Sequence, residues 1–215
     1  MNLKRGISLL NILILGSTGR VGSHITRLAL QDNHHVTALV RSPEKLEIEH
    51  KNLTVIQGNV LNKEDIEKAM RGQDLVMSAL NTDGVNTLSR SMALIIEAME
   101  KEGIQRIITI GTAGILQSRV NSNILRYQSS ESKRKSTRAA EDHHKAYELL
   151  NASSLDWTIV CPTYLPDGER VGTYRAERDF LPEGGVKISV PDTAEFAYRQ
   201  IESSMYIQAR VGLSY

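Results

Sequence analysis

The segment that most constrains this chain is Gly16-Ser17-Thr18-Gly19-Arg20-Val21-Gly22, because of what stands on either side of it. Before it runs Asn11-Ile12-Leu13-Ile14-Leu15, a short apolar run that reads as a buried strand. After it, Val21, Ile25, Leu28 and Ala29 recur at helical spacing as far as Leu30. A strand that turns on glycines straight into a helix opens a βαβ unit and predicts a dinucleotide site. Gly16 permits the tight turn, Gly19 lets backbone approach a diphosphate, and Gly22 lets the helix pack closely on the strand. The anion would rest on the free N–H groups at the helix start. Ser17, Thr18, Arg20 and Val21 complete the candidate contacts of this turn.

The rest of the chain repeats the alternation. Strands are expected at His35–Val40, Leu53–Gln57, Asp74–Leu80, Arg106–Ile110 and Trp157–Cys161. Between them fall a helix from Lys63 to Met70, capped by Asn62, and a longer one from Thr87 to Glu102, stopped by Gly103. Further helices are expected at Thr137–Leu150 and from Asp192-Thr193, with Asp192 as apparent N-cap. Strands that are continuous apolar runs imply a parallel sheet covered on both faces. With right-handed crossovers the expected fold is α/β, a doubly wound parallel sheet of the Rossmann type.

At 215 residues, one domain over residues 1–215 is expected, with no internal repeat or linker. The substrate side would come mainly from 113–145 and 162–190. Residues Arg119 to Arg138 are polar, with a Ser129–Ser136 stretch that reads either as a solvated excursion or as a substrate-side flap. A net charge of +1 argues against a broad nucleic-acid binder. The single cysteine, Cys161, excludes an internal disulfide, fits a reducing compartment and reads as a small buried hydrophobe. Lys4-Arg5 before Ile7–Leu15 superficially resembles a signal peptide, but Asn11 interrupts the run and cleavage after Leu15 would cut into the glycine turn. No stretch is long enough to span a bilayer, so a cytoplasmic protein without membrane contact is expected.

The tip of the second strand addresses the choice of coenzyme. NAD-binding versions place an acid about 20 residues past the glycines, on the ribose hydroxyls. Here the strand ends Leu39-Val40-Arg41-Ser42, with no acid. Arg41 offers a planar fork of donors suited to a 2′-phosphate, Ser42 a hydroxyl and Lys45 a second cation, so NADP(H) is expected over NAD(H). Other strand tips should line the same crevice: Gly58-Asn59-Val60 by the adenine, Leu80-Asn81-Thr82 by the diphosphate and nicotinamide ribose. Gly111-Thr112-Ala113 and Pro162-Thr163-Tyr164 would bracket the nicotinamide.

Short-chain dehydrogenases with such a turn usually carry Tyr-x-x-x-Lys as acid/base pair. Position plus four from Tyr127, Tyr147, Tyr164, Tyr174, Tyr198 and Tyr206 is never lysine. Sugar-epimerase, dehydratase or ordinary alcohol-dehydrogenase chemistry is therefore disfavoured. The adjacent His143-His144 make a poor metal site, since neighbours on a helix face different ways, and no metal is expected. His34-His35 reads as a turn before the second strand, although His35 also opens that strand.

The chain resembles the atypical short-chain dehydrogenases of the NmrA-like group, in particular their biliverdin-IXβ reductase/flavin reductase branch. The resemblance runs over nearly the whole chain from Asn11. It rests on Gly16-Ser17-Thr18-Gly19-x-x-Gly22, Val40-Arg41-Ser42, Gly58-Asn59-Val60, Ala69-x-x-Gly72-Gln73-Asp74, Glu141-Asp142-His143, Pro162, Asp167, Val171-Gly172-Thr173-Tyr174 and Ile188-Ser189-x-x-Asp192. It implies NADPH-dependent reduction of a flavin such as FMN, or of a quinone or tetrapyrrole, in a shallow pocket over the nicotinamide. It also implies catalytic-site positions for Thr112, where the family has a serine, for His143 on the pocket helix, and for Tyr164 in place of a histidine. Asn59 departs from the family's Gly-Asp-Val, and a phenol, with an ordinary pKa of about 10, is no proton donor at neutral pH. The competing expectation is an NmrA-like sensor that binds NADP(H) without turnover and signals through a partner protein.

Overall fold

The computed structural model describes residues 8–82, 86–132, 134 and 136–215. Lys4, Arg5 and Ile7 of the basic-then-apolar stretch, and Lys133 and Lys135 of the polar stretch, lie outside the described residues. In chain order the elements are β1 Asn11–Leu15, α1 Arg20–Gln31, β2 His35–Val40, β3 Leu53–Gln57, α2 Lys63–Met70, β4 Leu75–Ser78 and α3 Thr87–Glu102. There follow β5 Arg106–Ile110, α4 Arg138–Ala152, β6 Asp156–Pro162, β7 Arg175–Arg178, α5 Val190–Arg199 and β8 Ala209–Ser214.

The strands form one sheet in the order β3-β2-β1-β4-β5-β6-β8-β7. All neighbours pair in parallel except β7, which runs antiparallel to β8. The order reverses between β1 and β4, which is where ligands sit in doubly wound sheets. Two cores flank the sheet. One packs α2, α3 and α4 through Ile66, Met70, Met92, Ile95 and Leu150; the other packs α1 and α5 through Ile25, Ala29, Ala194 and Ala197. The doubly wound Rossmann-type expectation is borne out.

Local signals set many of the boundaries. Asn62 caps α2 by accepting the Asp65 N–H at 3.0 Å, and α3 ends on Gly103, whose φ of 72° is the left-handed conformation that stops a helix. Three expectations need correction. The fourth strand ends at Ser78, because Ala79 and Leu80 leave the sheet to meet the glycine turn. The last helix begins at Val190, and its N-cap is Ser189, whose Oγ accepts the Asp192 N–H at 3.3 Å, so Asp192 stands inside the first turn. His34 is buried, not a surface turn residue: its Nδ1 accepts the Leu10 N–H at 3.2 Å.

The sheet also extends further than the sequence suggests. β7 and β8 carry Arg175, Glu177, Arg178 and Arg210, which break any apolar run, and their order comes from tertiary bonds. The Arg210 guanidinium donates to the Ile115 carbonyl at 2.6 Å and faces the Tyr147 ring. Of the described residues in Arg119–Arg138 most are exposed, as a solvated excursion would be, and ion pairs tie the stretch to the fold. Arg119 pairs with Glu177 on β7 at 2.6 Å, and Arg126 pairs with Glu131 at 2.8 Å.

Candidate active site

The glycine turn is built as its residues dictate. Gly16 has φ 84°, and a Cβ there would lie 2.6 Å from the Ala79 carbonyl oxygen. The Gly19 N–H donates to the Gly16 carbonyl at 2.9 Å and closes the turn. A Cβ on Gly22 would fall 2.0 Å from that same carbonyl oxygen, so α1 can start where it does only on glycine. This refines the expected role: Gly22 clears the turn itself as much as the strand.

Gly19 caps α1 without a side chain, and no acidic residue stands in the first turn. The first intrahelical bond is Ser23 N–H to Gly19 carbonyl, so the N–H groups of Arg20, Val21 and Gly22 have no helical acceptor. The Ser17 hydroxyl is buried within the turn and has no hydrogen-bond partner among the described residues. Unfilled amides, a positive helix end and an orphaned hydroxyl fit the diphosphate of a dinucleotide.

Parallel registers gather the other tips around this turn. Leu15 pairs with Leu39 and with Ser78, so Arg41 emerges on one side and Leu80-Asn81-Thr82 on the other. Arg41 and Lys45 are both exposed, and neither side chain makes a hydrogen bond or ion pair among the described residues. Ser42 begins a short helical turn over Pro43–Lys45, its hydroxyl free of capping duty. At the β3 tip, Asn59 is turned on itself: its Oδ1 accepts the Leu61 N–H at 3.0 Å, and Asp65 accepts its N–H at 2.8 Å. Asn81 likewise accepts the Thr82 N–H at 2.9 Å.

Some candidates can contribute only backbone. Val21 and Val60 bury their side chains in the cores, Leu80 packs against one, and Pro162 is buried.

On the acceptor side, β5 and β6 are neighbours, Ile110 pairing with Val160, so Thr112 and Pro162-Thr163-Tyr164 leave adjacent strand ends. Thr112 caps a short turn, its Oγ1 accepting the Gly114 N–H at 3.4 Å. Thr163 donates to the Val186 carbonyl at 3.2 Å. Tyr164 is 62% exposed and pairs its backbone with Lys187, presenting a ring to solvent.

His143 does not join them. It lines a small inner cavity with Leu88, Met92, Gly111, Ile115 and Tyr147, beneath the β5 tip. Burial pushes its pKa down to about 4, with Asp142 pulling the other way, so the ring is neutral at physiological pH. The Cys161 thiol, pushed up to about 12 by burial, is inert. Among the described residues no group of three His, Cys, Asp or Glu side chains could hold a metal ion.

Three carboxylates that local sequence could not assign hold this side together. Asp142, on α4, accepts the Leu88 and Ser89 N–H groups at 3.0 and 3.1 Å and the Ser89 hydroxyl at 2.6 Å, capping α3 across the fold. Asp192 accepts the Val171 and Gly172 N–H groups, both at 2.9 Å, and the Tyr215 hydroxyl at 2.6 Å. Although burial opposes it, these bonds hold the Asp192 carboxyl below the usual range. Asp167 meets Arg20 at 2.7 Å. The pattern Ser189-x-x-Asp192 is close to a capping box, and it is the signal that could place the Ser189 cap. A cavity of about 870 Å³ lies away from the strand tips between α1 and α5, lined by Leu28, Tyr198 and Ile201 among others.

Comparison with known proteins agrees with this geometry. The Bacillus subtilis protein YwnB is 25% identical over 203 residues, covering 90% of this chain and 92% of that one. The photosystem II assembly factor Ycf39 of Synechocystis is 27% identical over 106 residues, 46% of this chain but only 32% of its own length. A solved structure of a candidate epimerase from Bacteroides thetaiotaomicron superposes with a TM-score of 0.85 at 28% identity, covering 97% of this chain and 98% of that one. Among the described residues no helix is long and apolar enough to cross a membrane. A model of the NAD(P)H-binding family matches residues 16–204. With its glycine turn, its free helix amides and this match, the chain belongs to the NAD(P)H-binding family.

Proposed function

We propose that this protein is an NADP(H)-dependent reductase that passes hydride to a planar acceptor, a flavin such as FMN or a related quinone or tetrapyrrole. The observation that carries the coenzyme choice is the β2 tip, where Arg41 stands in the place of the ribose-binding acid and neither it nor Lys45 in the following turn is paired among the described residues. A guanidinium there meets a 2′-phosphate with two parallel donors.

The coenzyme supplies the hydride. The chain supplies placement: α1's amides seat the diphosphate, Arg41, Ser42 and Lys45 fix the adenosine end, and Asn59, Asn81 and Thr82 flank the crevice. Thr112 and Thr163 border the reacting ring. Tyr164, exposed beside them, offers an aromatic face on which a flat acceptor can stack. His143 is neutral and faces the inner cavity, so it shapes the floor below Gly111 and delivers no proton. Such a site suits an oxidised flavin, whose remaining proton comes from water and whose rate depends on how two rings are stacked. Epimerase chemistry needs an acid/base pair, and Tyr-x-x-x-Lys is missing from this chain. A small-molecule acceptor, no nucleic-acid or membrane partner, and a cytoplasmic location with its reduced, buried Cys161 complete the reading.

The test is NADPH oxidation with FMN by the purified protein, followed at the nicotinamide absorbance band. Turnover is expected, and Arg41→Glu should reduce the preference for NADPH over NADH by at least about tenfold. Tight coenzyme binding without oxidation across flavins, quinones and biliverdins would favour the sensor with a protein partner instead. An unchanged preference in Arg41→Glu would remove the NADP assignment.

A further inference from the structure

The segment between β6 and β7 is bonded through its main chain, the Tyr164 and Pro166 carbonyls accepting the Ile188 and Val190 N–H groups at 3.0 and 3.3 Å, and side chains add two ties of different character. Its far end is fixed by Asp192, a carboxylate with no exposure, through the Val171 and Gly172 amides. Its near end is held by Arg20, which reaches across the crevice from the first position of α1. There Nε donates to Asp167 at 2.7 Å and a terminal nitrogen donates to the Leu165 carbonyl at 2.8 Å. Both side chains are wet, 53% exposed for Arg20 and 85% for Asp167, so this tie is weak and easily exchanged.

Arg20 is also the residue whose backbone opens the helix end assigned above to the diphosphate. A diphosphate seated there would lie beside a residue whose guanidinium is already engaged by a carboxylate. Among the described residues Asp167 is the only acid paired with this cation.

We propose that Asp167 is a positioning residue that competes with the coenzyme diphosphate for Arg20, so that coenzyme binding releases the Asp167 carboxylate at the acceptor side. The inference rests on the coenzyme reading of the glycine turn. Coupling of this kind is reciprocal: whatever the diphosphate gains from Arg20, the Asp167 tie loses.

A double-mutant cycle on NADPH affinity tests it, using the full chain and fluorescence titration of Asp167→Asn, Arg20→Gln and the double variant. Removing the competing carboxylate should tighten NADPH binding about two- to five-fold while Arg20 is present. It should have no effect in the Arg20→Gln background, and Asp167→Glu should restore wild-type affinity. Equal tightening in both backgrounds would mean that Asp167 merely repels the coenzyme, and overturns the competition. So does an Asp167→Asn affinity equal to wild type, while NADPH still binds. Absence of NADPH binding by the wild type overturns the coenzyme reading and this inference together.

Discussion

The two ends of the sheet do their work by different means. In the β1–α1–β2 end, the groups assigned to the coenzyme are mostly backbone: amides of a helix start, exposed because Gly16, Gly19 and Gly22 carry no Cβ. In the β6–β8 end, the architecture depends on side chains that reach far along the chain. Asp192 bonds residues 20 and 21 positions away, Asp142 bonds residues 53 and 54 away, and Arg210 bonds a carbonyl 95 away. A site made of backbone is specified locally and tolerates little local change. A site made of long-range side-chain bonds is specified by the whole fold and can vary in its parts.

The largest effect should come from breaking the local end. Gly22→Ala puts a Cβ 2.0 Å from a backbone carbonyl that cannot move without opening the turn. Overpacking of this kind costs about 3 kcal/mol, and urea titration should show that loss, with coenzyme binding abolished in any folded remainder.

Asp142→Ala tests the other end. It removes three hydrogen bonds from the start of α3 and should cost about 2 kcal/mol, lowering Tm by about 4–8 °C in calorimetry. Asp142→Asn, which keeps an acceptor oxygen, should recover part of that. A loss as small as an exposed surface change would show that α3 caps itself.

The pH dependence of stability is a smaller effect. His143 titrates near 4 in the fold and near 6.5 unfolded, so the unfolded chain binds more protons between those values. Its contribution is therefore fully present above about pH 6.5 and falls away as pH drops toward 4. Urea midpoints should record about 2 kcal/mol less stability at pH 5 than at pH 7 from this group. His143→Gln should flatten that slope, leaving the part due to His34, whose pKa burial also lowers. An unchanged slope would place His143 in contact with solvent.

The same contrast governs how much of the molecule is legible in its sequence. The glycine turn, the Asn62 cap, the Gly103 stop and the bounds of α2 and α3 are local, and residue patterns locate each of them. Arg41 is legible because a strand tip has a fixed direction in a parallel sheet. The place of His143 is not, because a helix face shared with Tyr147 can meet either a crevice or an inner cavity. β7 and β8 escape pattern reading because Arg175, Glu177 and Arg210 hide the strand signal, and their partners are remote. The Asp142 cap and the Asp167 tie leave no mark in their own neighbourhoods.

In the proposed complex the coenzyme diphosphate rests on the amides opening α1. Titration of ¹⁵N-labelled protein with NADPH, followed by amide resonances, addresses it directly. Ser17 and Gly19–Gly22 are expected to shift together and saturate with the coenzyme, with Arg41 moving in step. Absence of binding, or shifts confined to the cavity between α1 and α5, would contradict it.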